Sequence, residues 1–168
     1  MILVDRQIKE LVKNGMLIVS GYDENNLGCV SYDLTIDKII SSKESEEYFV
    51  KPGEFVMVKT NEEIKIPNNM IGHIKEKNSL LRMGLMVTGP MYQPGHQTYC
   101  FFRVYNMSQN QIMLSKNFKI AQIVFEVLGE VPEITYNQNK NSSFNNEKEY
   151  IGCGKYTETY NKLIKENK

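Results

Sequence analysis

Acidic residues are missing from a long central part of this sequence. The chain has no aspartate after Asp37, and neither aspartate nor glutamate occurs between Glu76 and Glu126. That stretch nevertheless carries lysine, arginine, serine, histidine and tyrosine side chains. A reaction that needs a side chain to accept and return a proton therefore has no carboxylate available within this stretch of the sequence.

Cysteine and histidine are scarce as well. Cys29, Cys100 and Cys153 are far apart and show no CxxC or CxxH spacing. We therefore expect neither a disulfide framework nor a zinc site. His73 and His96 are the only histidines and have no partner at metal-ligand spacing. We expect no protein metal site, with His73 on a half-exposed strand and His96 in a turn.

Long apolar runs and an excess of either charge are also absent. No window approaches the roughly 18 apolar residues of a membrane span, and the first residues do not resemble a signal peptide. The 20 basic and 20 acidic residues give zero formal charge, so no basic field favours nucleic acid. We expect one cytoplasmic domain, with neither a membrane nor a nucleic acid as partner.

The N-terminus has the pattern of an amphipathic helix. Ile8, Leu11 and Val12 fall on one face at i, i+3, i+4 spacing. Asp5 is the predicted N-cap, and Gly15 suits the C-terminal end.

The sequence after this helix is typical of many short strands. The strand-like segments are MLIVSG, VSYDLTIDKII, EYFV, EFVMVKT, EEIKIP, MIGHIKE, GLMVTG, TYCFFRVYN, QIMLS and IAQIVFEVL. They are rich in β-branched and aromatic residues and are separated by turn residues, which favours an all-β sandwich or barrel.

The C-terminal part has a different composition. Residues 135–148 are polar, rich in asparagine and nearly free of aliphatic side chains, which is typical of a surface loop or mobile arm. We divide the chain into a β domain with its N-terminal helix at 1–134 and a polar loop and arm at 135–168.

An ordered series of motifs resembles the family of dCTP deaminases and trimeric dUTPases, especially the deaminase branch. The segments that carry the resemblance are ENNLGCVSYDLTI, KPGEFVMVKTNEEIKIPNNMIGHI, KNSLLRMGLMV, YQPG, FKIAQIVFE and EYIGCGKYTETYNKL. Together they extend over nearly the whole chain, and their order is more specific than any one of them.

The resemblance implies a fold, an assembly and a ligand. The fold would be a distorted jelly-roll or β-barrel of the dUTPase-like type, with an N-terminal helix and a flexible C-terminal arm. The assembly would be a homotrimer with its sites between subunits. Family members bind a deoxynucleoside triphosphate with Mg²⁺ on the phosphates, place the base in a hairpin and close the arm over it.

The resemblance also implies a set of nucleotide-binding residues. Lys77, Ser79 and Arg82 would hold phosphate, as would Asn78 at a position where the family has serine. Tyr92 and Gln93 lie in the hairpin and would contact a base. The remaining candidates are Arg103, Gln122 and the arm residue Tyr136.

The catalytic positions depart from the family pattern. The deaminase branch has its acid–base glutamate where this chain has Arg103, and the dUTPase branch has its aspartate where this chain has Gln93. An arginine is a permanent cation, and a glutamine cannot take a proton from water. Glu149 lies where the arm would carry a phosphate-binding lysine, and Cys153 where it would carry glutamine.

These departures lead to three hypotheses. The first is a non-catalytic nucleotide-binding protein, bacterial or viral, that senses or sequesters its ligand and requires no cofactor, although Mg²⁺ would accompany a triphosphate. The alternative is an active dCTP deaminase or dUTPase with displaced catalytic groups, in which Glu76 or Glu149 supplies the carboxylate. A second alternative is a protein-interaction module on the same trimeric scaffold.

Overall fold

The computed structural model describes residues 1–165 of the 168-residue chain, which form three α-helices, two three-residue 3₁₀ helices and eleven strands. The α-helices are α1 (Asp5–Lys13), α2 (Asn78–Arg82) and α3 (Thr157–Lys165). The strands are β1 (Leu17–Ser20), β2 (Tyr32–Ile40), β3 (Glu44–Ser45), β4 (Glu47–Val50), β5 (Phe55–Lys65), β6 (Met70–Glu76), β7 (Leu85–Thr88), β8 (Met91–Tyr92), β9 (Gln97–Asn106), β10 (Ile112–Ser115) and β11 (Lys119–Val127).

The strands pair antiparallel, and nine of them form one curled sheet in the described part of the chain. Its main path runs β7–β9–β5–β2–β11–β6–β8, with β1 on β5 and β3 on β2, while β4 and β10 form a separate pair. Side chains of β2, β5, β9 and β11 alternate between a buried and a more exposed face, and the buried set forms the core. The prediction of an all-β fold is confirmed.

Helix α1 lies where the sequence predicted it but begins differently. Asp5 is its first residue and not its N-cap, because Val4 occupies that place with extended backbone angles. The Val4 N–H donates instead to Oε1 of Gln7 at 3.1 Å. Ile8 is fully buried, and Gly15 follows the helix with φ of 69°, in the left-handed region that glycine tolerates.

Five of the strands and α-helices differ from the sequence prediction, among them the two-residue strands β3 and β8, which were not predicted. The segments predicted as two strands, EFVMVKT and EEIKIP, form the single strand β5, which changes register against β9 between Lys59 and Glu63. Helices α2 and α3 were not predicted. None of the helices described in residues 1–165 is long and apolar enough to cross a membrane.

Strand β9 sets the positions of several candidate residues. Phe102 and Val104 point into the core, so Phe101, Arg103 and Tyr105 lie on the opposite face. We call this opposite surface of β5, β9 and β7 the outer face.

The arm packs along the start of β9. The N–H of Asn146 donates to the carbonyl of Gln97 at 2.6 Å, and the N–H of Tyr99 donates to the carbonyl of Glu147 at 3.3 Å. The arm residues thus hydrogen-bond to β9 beyond the part that β7 covers. The boundary at residue 135 and the mobility of the arm stay predictions.

Candidate functional site

A polar cluster lies where β2, β6 and β11 meet. The Ser31 hydroxyl donates to Oε1 of Gln122 at 2.9 Å, and Nε2 of Gln122 donates to the carbonyl of Glu76 at 2.9 Å. Ser31 and Gln122 are 91 residues apart in the sequence. The fold therefore brings the candidate Gln122 to the residue that precedes Lys77.

Two lysines share one carboxylate beside this cluster. Lys77 Nζ lies 2.5 Å from Oδ1 of Asp33, and Lys119 Nζ lies 3.7 Å from Oδ2. Lys77 and Asp33 are each about one-fifth exposed, at 22% and 21%. Two ammonium groups on one carboxylate leave a net positive charge at a partly exposed position, which suits an anion such as phosphate. We call Ser31, Asp33, Lys77, Lys119 and Gln122 the basic cluster.

Helix α2 places the other predicted phosphate contacts next to Lys77. Its first turn closes on the Lys77 carbonyl, which accepts from the N–H groups of Leu80 and Leu81 at 3.0 Å. Leu80 is buried and anchors the helix, while Asn78, Ser79 and Arg82 are exposed. Arg82 Nε donates to Oδ1 of Asn78 at 3.3 Å. Lys77, Asn78, Ser79 and Arg82 thus present polar groups around one exposed turn.

The hairpin residue Tyr92 has a structural position. Its side chain is 2% exposed, and its hydroxyl accepts from the N–H of Phe101 at 3.1 Å. Burial raises the pKa of this phenol well above its ordinary value. The expectation that Tyr92 stacks on a base is corrected to a role in joining the hairpin to β9. The adjacent Gln93 is exposed.

The arm residue Tyr136 lies beside the hairpin. Its N–H donates to the carbonyl of Pro94 at 2.8 Å, and its ring stacks on His96 with centroids 4.0 Å apart. His96 lies in a turn, as predicted, but is buried. The structure therefore brings Tyr136 close to Gln93, and keeps one ring face of Tyr136 against His96.

Arg103 extends outward between β5 and β7. It stands opposite Met57 and Thr88 in the two strand pairings, and its guanidinium lies 4.9 Å from the centroid of the Phe55 ring. The side chain is exposed. Arg103 therefore neither enters the core nor replaces a buried acid; it lies on the outer face.

A carboxylate from the arm reaches the same outer face. Glu149 Oε1 lies 3.0 Å from Nζ of Lys59, which is 9% exposed and also lies 3.6 Å from Asp37. Lys59 stands opposite Phe101 in the β5–β9 register, two residues along β9 from Arg103. The carboxylate of Glu149 thus reaches Lys59, beside that of Asp37, from a position 46 residues beyond Arg103 in the sequence. Lys59 was not among the site residues predicted from the sequence. The only feature that could have indicated it is the presence of a lysine inside an apolar strand.

Glu62 is a buried carboxylate that sequence reasoning also missed. It has 0% exposure, and its two oxygens accept from the N–H of Thr35 at 3.0 Å and from the Thr35 hydroxyl at 2.7 Å. Burial raises the pKa of Glu62 to about 7. With no exposed surface it cannot contact a substrate directly.

Within residues 1–165, no three side chains of His, Cys, Asp or Glu come together in a way that could hold a metal ion. The cysteines at 29, 100 and 153 are free thiols.

Curated relatives decide between the hypotheses for this site. The chain is 32% identical to a dUMP-forming dCTP deaminase from Hydrogenobaculum over 79% of this chain and 85% of the relative. It is 36% identical to a dCTP deaminase from Wigglesworthia glossinidia brevipalpis over 77% and 66% of the two chains. These relatives are enzymes, so the hypothesis of a non-catalytic nucleotide binder is wrong. That hypothesis counted only acids close to Arg103 in the sequence, whereas Glu149 of the arm reaches Lys59, which stands opposite Phe101, two residues along β9 from Arg103.

Solved structures support the fold. A dCTP deaminase from Agrobacterium tumefaciens aligns with a TM-score of 0.65 at 16% identity, over 75% of this chain and 48% of that one. A dUTPase from Streptococcus mutans aligns with a TM-score of 0.50 at 19% identity, over 69% and 96%. The predicted dUTPase-like architecture is confirmed.

The sequence model described as dCTP deaminase-like matches residues 37–128, which span β3 to β11 and most of the residues discussed above. This match and the relatives agree with the order of motifs along the sequence. The chain belongs to the dCTP deaminase-like family.

Proposed function

We propose that this protein is an active dCTP deaminase with a displaced catalytic carboxylate. The observation that carries the proposal is the ion pair of Glu149 with Lys59 on the outer face, where Lys59 stands opposite Phe101, two residues along β9 from the position where the resemblance expects the acid. The identity to curated dCTP deaminases supports the substrate.

Hydrolytic deamination defines what the carboxylate must do. Water adds to C4 of cytosine and ammonia leaves, so that dCTP and water give dUTP and ammonia. A general base takes a proton from the water and returns one to the departing amine. Glu149 can do both, and its ion pair with Lys59 at 3.0 Å holds it in place. Arg103, a permanent cation, would stabilise negative charge that develops on the same face.

The phosphates are assigned to the basic cluster and to α2. Lys77 and Arg82 supply charge, while Ser79, Asn78 and Gln122 supply hydrogen bonds. Both oxygens of Asp33, the one carboxylate of the basic cluster, already face lysines. A Mg²⁺ ion that accompanies the triphosphate would therefore take phosphate oxygens and water as ligands and would neutralise phosphate charge.

The chain matches curated relatives that are named dUMP-forming, and the proposal extends to that product. The chain spans 85% and 87% of the dUMP-forming relatives from Hydrogenobaculum and Corynebacterium kroppenstedtii. The product would then be dUMP, with pyrophosphate released by a second water.

The proposal includes assembly as a homotrimer with nucleotide sites between the subunits. It also includes a cytoplasmic location. An apolar row crosses the outer face from Phe55 through Tyr105 to Met86, since these residues are paired across β5, β9 and β7. Phe55 and Met86 are 44% and 37% exposed. Covering such a row by a second copy would stabilise the assembly.

The experiment is an incubation of the protein with dCTP and Mg²⁺, followed by chromatographic separation of dCTP, dUTP and dUMP. Turnover with dUMP as the main product is the expected result. Glu149→Gln should lower kcat by about 100-fold or more, the usual contribution of a general acid–base group. Glu130→Gln, a change at an exposed loop residue, is the matched control and should keep full activity.

Other outcomes would redirect the assignment. If Glu76→Gln abolishes turnover and Glu149→Gln does not, Glu76 is the displaced carboxylate. If dUTP alone is consumed, the protein is a dUTPase. Unchanged dCTP and dUTP with the folded protein in excess would reject the proposed function.

A further inference from the structure

A cleft that shares no lining residue with the candidate nucleotide site lies between the sheet and the arm. Its volume is about 460 Å³, within the range of small-molecule sites. The polar residues that line it are Lys65, Asn68, Gln97, Asn137, Asn145 and Asn146. Neither the basic cluster nor any predicted nucleotide-binding residue is among its lining residues.

The cleft offers one cationic side chain, that of Lys65, to an anion, while the carboxylate of Glu63, on the same strand, accepts from Nε2 of the lining residue Gln97 at 2.8 Å. Lys65 is the one charged residue among those that line the cleft in the described part of the chain. Lys65 takes no part in the ion pairs formed among residues 1–165. Its ammonium group therefore has its hydrogen-bond donors available to a ligand.

Hydrogen bonding fixes one carboxamide so that it presents a donor. The backbone N–H of Gln97 donates to Oδ1 of Asn145 at 3.1 Å. A backbone N–H can only donate, so the oxygen of Asn145 must face it, and the amino group is the end that remains for the cleft. Lys65 and Asn145 therefore both offer donors, which suit the oxygens of a phosphate group.

The arm supplies half of the polar lining, because Asn137, Asn145 and Asn146 all belong to it. The turn at Gly95 allows this close approach. Gly95 has φ of +79°, and a Cβ there would lie 2.4 Å from Oδ1 of Asn137. A ligand that contacts both Lys65 of β5 and Asn145 of the arm binds only when the arm is docked, and so it stabilises the docked arm.

We propose that this cleft is an effector site for a small phosphate-bearing anion, and that occupancy holds the arm against β9. The site differs from the one that binds the triphosphate for turnover. Because the arm also carries Glu149, the anion would change activity through the position of the arm.

The test uses inorganic phosphate as the probe, titrated calorimetrically into the Lys77→Ala/Arg82→Ala protein, in which the candidate catalytic phosphate contacts are removed. Phosphate should still bind. Adding Lys65→Ala should weaken binding about tenfold or more, the loss of a charge-assisted hydrogen bond. Asn145→Asp keeps the oxygen that accepts from Gln97 but replaces the amino donor with negative charge, and should abolish binding.

A second readout follows the arm directly. Trypsin can cut the arm after Lys140 and Lys148, and phosphate should slow these cuts in the wild type but not in Lys65→Ala. Lys43→Ala, at an exposed residue remote from the cleft in sequence, is the control and should behave as wild type. Equal melting temperatures confirm that the variants fold.

The remaining outcomes either show whether the effector is a nucleotide or free phosphate, or reject the proposal. If dUMP binds the Lys77→Ala/Arg82→Ala protein at least tenfold more tightly than phosphate, the effector is a nucleotide; similar affinities indicate free phosphate. Loss of all phosphate binding in that protein, or binding that ignores both Lys65→Ala and Asn145→Asp, overturns the proposal. The turnover of dCTP is a separate measurement, so the proposed function can fail without affecting this result.

Discussion

The imidazole ring of His96 stacks on the phenol ring of Tyr136, with centroids 4.0 Å apart and planes inclined by 27°. His96 Nε2 lies 2.9 Å from the carbonyl of Phe144, and the Tyr136 hydroxyl accepts from the Phe144 N–H at 3.2 Å. His96 and Tyr136 thus hydrogen-bond to both backbone polar groups of the arm residue Phe144. This contact joins the arm to the turn that precedes β9.

The pH dependence of arm docking should follow His96. Burial lowers the pKa of His96 below its ordinary value of 6.5, and the groups that face the ring are Tyr92, Tyr136 and the Phe144 carbonyl. The docked state therefore favours the neutral ring, and docking should weaken as the pH falls below about 6.5. Hydrogen exchange of the Asn146 amide, which donates to Gln97, measures this.

The control for this prediction is His96→Phe. Phenylalanine keeps a ring against Tyr136 but cannot titrate, so the pH dependence between 5 and 7 should disappear. An equally steep dependence in His96→Phe would assign the effect to another group.

Stability should fall as the pH rises through the titration of Glu62. The native state keeps its proton up to about pH 7, whereas the unfolded chain releases it near 4.5. The native state therefore binds more protons between these values, so the free energy of unfolding decreases across that window by on the order of 3 kcal/mol. Urea unfolding from pH 4.5 to 8 measures this slope.

Glu62→Gln should remove most of that slope. The glutamine oxygen can accept from the Thr35 N–H, and its amino group can donate to the Thr35 hydroxyl, which replaces both bonds that Glu62 makes. At pH 8 the variant should be more stable than the wild type. Parallel stability curves for the two proteins would show that Glu62 does not titrate in this range.

Most strands could be predicted from the sequence because apolar periodicity is a local pattern. The contacts that form the candidate site could not, because they join residues that are far apart in the sequence. Helix α2 has five residues, too few to show a helical period. Ser31 and Gln122 meet across 91 positions, and Lys59 and Glu149 across 90. The wrong functional hypothesis arose from the same limit, because it counted acids close to Arg103 in the sequence, whereas Glu149 reaches Lys59 from the arm.

Asn106 should be one of the most costly residues to replace. It is fully buried, and its Nδ2 donates to the carbonyls of Val50 at 2.8 Å and Asn110 at 2.7 Å. Its Oδ1 accepts from the N–H and hydroxyl of Ser108. Asn106→Ala leaves the Val50 carbonyl without this donor and should lower the free energy of unfolding by about 2–4 kcal/mol.

The control is Asn110→Ala. Asn110 is exposed and receives the bond from Asn106 through its backbone carbonyl, which alanine retains. We expect a change within about 0.5 kcal/mol in urea unfolding. Similar losses in the two variants would mean that the Asn106 side chain contributes little.

A carboxylate at position 103 should replace the one carried by the arm. Arg103 and Phe101 point to the same side of β9, and Lys59, the partner of Glu149, stands opposite Phe101. In the Glu149→Gln protein, Arg103→Glu should therefore restore a proton carrier on the outer face and recover part of the lost kcat, by about tenfold or more. The measurement is dCTP turnover over a range of pH.

Arg103→Gln in the same Glu149→Gln background is the control for this rescue. It removes the same positive charge without adding a group that titrates near neutral pH, so it should recover nothing. Recovery by glutamine as well would mean that the guanidinium itself inhibits turnover. It would also contradict the assignment of Glu149 as the proton carrier, because activity would have returned without a new carboxylate.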